Sequence, residues 1–173
     1  MKIVYLTSGP RGSGKTEFVK KVASLYPEIE VISRDAILVE LFGSTSLNPY
    51  EGGHYIAIEV LHERISKFFS SSKRSKLILD YWNGFSGERV AMIEKLKGLG
   101  ADCVVCWQFI ISIDMCVRWF FTKPDSEGYS EMGIRGDHEL YYEMAEDIER
   151  DGFDKVCHID PCQPIIPPSI IEL

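Results

Sequence analysis

Gly9-Pro10-Arg11-Gly12-Ser13-Gly14-Lys15-Thr16 reads G-x-x-x-x-G-K-T, directly after the apolar run Ile3-Val4-Tyr5-Leu6. This pattern demands a strand, a tight glycine turn and then a helix. The glycines let the backbone fold sharply enough to aim several N–H groups at one point. The helix that follows adds its free N-terminal donors and the positive end of its dipole there. Together they make a cradle for an anion, and Gly9, Arg11, Gly12, Ser13, Gly14, Lys15 and Thr16 are the residues expected around it. Lys15 is expected to reach the β- and γ-phosphates of a nucleoside triphosphate, and the Thr16 hydroxyl to ligate Mg²⁺.

The rest of the chain supports a fold built on that unit. Short runs rich in Val, Ile and Leu at 2–8, 29–33, 76–81, 102–109 and 153–159 alternate with helical patterns at 15–25, 35–42, 54–70, 87–97, 113–122 and 137–150. Continuous apolar runs suit parallel strands covered on both faces. The alternation predicts an α/β three-layer sandwich, helices lying on both faces of a parallel sheet. Ligands of such sheets sit beyond the carboxyl ends of the strands.

With 173 residues the chain is expected to form one domain over 1–160, followed by a proline-rich tail over 161–173. No run of apolar residues is long enough to span a bilayer, and a signal peptide at the N-terminus would have to include the glycine loop itself. Cys103, Cys106, Cys116, Cys157 and Cys162 are expected to be free thiols of a cytoplasmic protein, with no obligate protein partner evident. A net charge of −7 argues against a broad nucleic-acid surface, which needs clustered Lys and Arg. Two loops look functional: 43–53, and 123–136, which has no apolar period and is expected to be a lid.

Transfer of a phosphoryl group needs a base, a magnesium environment and cations around the moving phosphate. Asp35 follows the second strand directly and could project toward the glycine loop as the base, or could cap the helix that begins beside it. Asp80 closes the apolar run Leu77-Ile78-Leu79, where it could hold magnesium through water or orient an acceptor, with Asn83 on the same loop. Arg118 precedes the lid, and Lys123 and Arg135 bracket it; each could close over phosphates or simply complement a helix end. The acids Glu139, Glu143, Glu146, Asp147 and Glu149 read as a wet helix face.

Taken together, Gly9–Thr16, Ser33-Arg34-Asp35, Asp80-Tyr81-Trp82-Asn83 and the closing Gly152-Phe153-Asp154-Lys155-Val156 resemble the P-loop kinases of the polynucleotide 5′-hydroxyl kinase type. The resemblance spans about residues 1–160, and it implies a five-stranded sheet in the order 2-3-1-4-5. It also implies ATP and Mg²⁺ on Lys15 and Thr16, Asp35 as general base, Asp80 near metal or acceptor, and lid cations, Arg118 among them, on the phosphates. Two departures stand out: Leu38 occupies a position where the phage-type enzyme has an arginine, and the lid carries Asp125, Glu127 and Glu131. The expected activity is transfer of the γ-phosphate of ATP to a hydroxyl of a nucleic-acid end, nucleoside or nucleotide-like acceptor. A P-loop kinase for an unrelated small molecule and a nucleotide-switch ATPase are the alternatives. A GTPase would need Asn-Lys-x-Asp and a glycine where Asn83 stands.

Overall fold

A computed structural model describes residues 1–45, 52–81, 83–123, 126–163 and 171. Trp82, Pro124, Asp125, the middle of the 43–53 loop and most of the proline-rich tail lie outside them.

Five parallel strands form one sheet: β1 (Ile3–Ser8), β2 (Glu30–Ser33), β3 (Lys76–Asp80), β4 (Cys103–Phe109) and β5 (Lys155–Ile159), in the order β2-β3-β1-β4-β5. This is the expected order. Strand side chains alternate between faces, and the two cores follow that alternation. Val4, Leu6, Leu77, Leu79 and Val104 pack on one face with α2 (Arg34–Phe42), α3 (Gly53–Ser71) and α4 (Ser86–Gly98). Ile3, Tyr5, Ile78, Val105, Trp107 and Phe109 pack on the other with Val19 and Val22 of α1 (Lys15–Leu25). Trp107 is the hub of this second layer, stacked on Tyr5 at 4.7 Å and met edge-on by Phe18 at 5.6 Å.

Two further helices, α5 (Ile113–Phe120) and α6 (Glu131–Met144), cover the β4 end of the sheet, with a short 3-10 turn at Ile148–Arg150 before β5. Here the structure corrects the expected boundaries. The segment 131–136 is the start of α6 and not irregular lid. Ser130 explains it, because its hydroxyl accepts from the Gly133 N–H at 3.1 Å and caps the helix. Gly133 and Gly136 are therefore helical despite their low propensity. The helix also ends at Met144, earlier than the expected residue 150; Glu139 and Glu143 on it, and Glu146, Asp147 and Glu149 beyond it, are all exposed.

α6 is tied to the strand ends beneath it. Tyr141 shares a 2.9 Å hydrogen bond with Ser8, the residue before the glycine loop, and the Tyr142 hydroxyl donates to the Phe109 carbonyl at 2.9 Å. Of the tail, Ile171 is buried against the second core, and its carbonyl accepts from Tyr5 Oη at 2.7 Å and Lys76 Nζ at 2.8 Å. The five cysteines are unpaired, and no helix of the described residues is long and apolar enough to cross a membrane.

Candidate functional site

The glycine loop holds its shape by contacts that only glycine permits. Gly12 and Gly14 have φ of +80° and +78°, a region L side chains avoid. A Cβ on Gly12 would lie 2.5 Å from the Cys116 carbonyl oxygen, and one on Gly14 would lie 2.9 Å from the Trp119 ring. The loop is thus pressed against α5, which fixes where its N–H groups point. Arg11 leaves the loop toward α6, 3.4 Å from Asp137, with its guanidinium 4.9 Å from the Tyr129 ring centre.

Lys15 opens α1. Its Nζ donates to the Gly9 carbonyl at 2.8 Å and the Pro10 carbonyl at 2.9 Å. Burial pushes its pKa down to about 8, while the carboxylates of Asp80 and Asp35 act in the opposite direction. A cation so poorly solvated gains strongly from an anion placed in the loop.

Beside it, the end of β3 presents Asp80, a buried carboxylate. Thr7 donates to Oδ1 at 3.1 Å and Thr16 to Oδ2 at 3.2 Å. Thr16 Oγ1 and the Asp80 carboxylate are hard oxygen donors in contact. That donor set fits Mg²⁺, which takes one or two protein oxygens and fills its octahedron with water and phosphate.

Asp35 reaches the same space from β2. The helix cap it might have supplied belongs instead to Ser33, whose hydroxyl accepts from the Ala36 N–H at 3.4 Å. Asp35 is therefore free of the capping role and sits in the first turn of α2. There, Arg34 holds its Oδ1 through Nε at 3.2 Å and Nη2 at 2.9 Å, leaving Oδ2 for another partner.

A cavity of about 810 Å³ joins these groups, lined by Arg11, Gly12, Ser13, Gly14, Lys15 and Thr16 on the loop side, by Arg34, Asp35 and Asp80 across from them, and by Lys123. The other sequence-selected residues lie elsewhere. Asn83 is buried behind the site, where its Nδ2 donates to the Thr7 carbonyl at 2.7 Å, so it supports the strand ends and does not line the cavity. Arg118 is exposed on α5 and Arg135 is held on α6 by Glu131 and Asp114, each at 2.9 Å; neither lines the cavity.

Sequence reasoning missed Arg89. It is wholly buried, paired with Asp151, and donates to the carbonyls of Gly84 and Met144, while Ser86 donates to the same Asp151. One side chain thus ties the loop after β3 to the end of α6. Nothing in the amphipathic spacing of α4 distinguishes it from a surface arginine.

No family model and no curated protein matches the chain. Solved structures do resemble it. A chain of the Pnkp1/Rnl/Hen1 RNA repair complex superposes with a TM-score of 0.70 at 15% identity, covering 84% of this chain and 46% of that one. The present chain thus spans about half the length of that relative. A proposed kinase from Chloroflexus aurantiacus j-10-fl gives 0.68 at 17% identity, covering 98% and 91%, respectively. Shikimate kinase from Bacteroides thetaiotaomicron gives 0.57 at 15% identity, covering 91% and 86%. At these identities the likeness is one of fold: a five-stranded parallel α/β sandwich with a P-loop, shared with these kinases.

Proposed function

We propose that this chain is an ATP-dependent kinase that transfers the γ-phosphate to a hydroxyl of a nucleic-acid end, nucleoside or nucleotide-like acceptor. The observation that carries the reading is that one cavity is lined both by the glycine loop with Lys15 and Thr16 and by the two carboxylates Asp35 and Asp80. Transfer to a hydroxyl needs a carboxylate across from the cradle to receive the acceptor's proton, and Asp35 lines that side of the cavity.

In this reading the loop N–H groups and Lys15 hold the β- and γ-phosphates, and Thr16 and Asp80 hold Mg²⁺, which offsets phosphate charge when bound. Asp35 Oδ2 takes the proton of the acceptor hydroxyl as its oxygen bonds to the γ-phosphorus and the bond to the β-phosphate oxygen breaks, leaving ADP. Arg34 keeps the carboxylate aimed. Lys123 and Arg11 supply cations at the cavity. We place the reaction in the cytoplasm, where ATP is at hand and free cysteines stay reduced.

A second reading, a kinase for an unrelated small alcohol, draws support from the fold shared with shikimate kinase. Both readings predict that Lys15→Ala weakens ATP binding and lowers turnover together, turnover by about 10²–10³, as calorimetry and steady-state kinetics would show. The deciding experiment offers γ-labelled ATP with DNA and RNA 5′-hydroxyl ends, nucleosides, nucleotides and hydroxymethylated bases. Label on one of these acceptors supports the first reading; label found only as free phosphate with every one of them rules that reading out.

A further inference from the structure

The two sides of the cavity differ in charge. Arg11, Lys15, Lys20 and Lys123 line it from the glycine loop, α1 and the turn after α5. The side built by β2, α2 and the end of β3 contributes Val31, Ala36, Val39 and Tyr81, and Arg34 is its sole Lys or Arg among the described residues. The Arg34 guanidinium is already engaged by Asp35 at 2.9 Å. From residue 35 to residue 63 the sequence contains no Lys or Arg at all, and Arg64 is held by Glu40 at 2.7 Å. Neither histidine of that stretch, His54 or His62, lines the cavity.

A phosphate on the acceptor would therefore meet Asp35 and Asp80 on a side whose one cation among the described residues is already engaged. Its one cationic partner there, Arg34, already gives Nε and Nη2 to Asp35, so a phosphate would compete for that charge with the group needed to receive the proton. Like charges brought together there repel. The apolar wall of Val31, Ala36, Val39 and Tyr81, in contrast, suits one face of a ring.

Building on the kinase reading above, we infer that the acceptor is an uncharged, ring-bearing alcohol of the nucleoside or sugar kind, and that a phosphate on the acceptor is selected against. The acceptor ring lies on the apolar wall, its hydroxyl is directed to Asp35, and the cations are left to the triphosphate.

The test uses the purified full chain with Mg²⁺ and γ-labelled ATP. Nucleosides and neutral sugars are offered beside their own phosphomonoesters and 5′-hydroxyl oligonucleotides, and kcat/KM is read for each. The best neutral acceptor should exceed its phosphomonoester by at least about tenfold. Val39→Arg, which places a cation on an exposed part of the neutral wall, should narrow that ratio severalfold. A phosphomonoester or oligonucleotide used as well as or better than every neutral acceptor would overturn the inference while leaving the kinase reading intact. So would a ratio unmoved by Val39→Arg. Label appearing only as inorganic phosphate, or no turnover at all, would instead bring down the kinase reading and the inference with it.

Discussion

Asp35→Ala should leave ATP bound with an affinity within a few-fold of the parent and lower phosphoryl transfer by about 10²–10⁴, the usual contribution of a positioned general base. The split follows from where the carboxylate stands. It sits at the start of α2, across the cavity from the glycine loop, and its recorded hydrogen bonds come from Arg34. Removing it takes nothing from the phosphate cradle, and α2 keeps its cap because Ser33 supplies it. Equal loss of ATP affinity and turnover would mean that Asp35 organises the nucleotide. Retained turnover would mean that the base lies elsewhere. Asp35→Asn, which keeps the shape and the hydrogen bond to Arg34 but cannot take a proton, should fall nearly as far as alanine in single-turnover assays.

The largest expected effect on stability belongs to Arg89. Arg89→Met leaves the buried Asp151 carboxylate without its cation, and breaking such a pair costs about 3–5 kcal/mol. For a chain of this size that corresponds to a fall in Tm of roughly 10 °C, measurable by calorimetry. Arg89→Met with Asp151→Leu should recover part of the loss, since the uncompensated charge is then gone. Recovery will be incomplete because the carbonyls of Gly84 and Met144 lose their donor. A double variant no better than the single one would show that the carbonyl bonds, and not the ion pair, dominate.

The strands and the place of the cradle could be read from the chain because they depend on local signals, apolar runs, the glycine spacing and short turns, whereas the strand order came only with the resemblance to P-loop kinases. Asp80 and Thr16 could likewise be placed, since Asp80 closes a strand and Thr16 lies in the first turn of the helix that follows the glycine loop. What could not be read depends on contacts distant in sequence. Arg89 and Asp151 are 62 residues apart, and neither carries a sign that its partner is buried beside it. The choice between base and cap at Asp35 was open because Asp and Ser are both good caps. Three-dimensional placement assigns the cap to Ser33, whose hydroxyl accepts from the Ala36 N–H. Arg118 and Arg135 illustrate the converse problem. Their place near a lid suggested phosphate contacts, but position along a helix does not set direction, and Arg135 turns to Glu131 of α6 and Asp114 of α5.

The hairpin of α2 and α3 packs against the face of the sheet opposite α1. On the kinase reading, what would distinguish one acceptor from another on that side, apart from Val31, Ser33, Asp80 and Tyr81, comes from the one stretch 34–71, whereas the residues proposed to hold the triphosphate lie on both sides of it. Exchange of that stretch for its counterpart in another protein of the same architecture would thus replace the selectivity of the enzyme in one graft, with the energy-donating half carried over untouched.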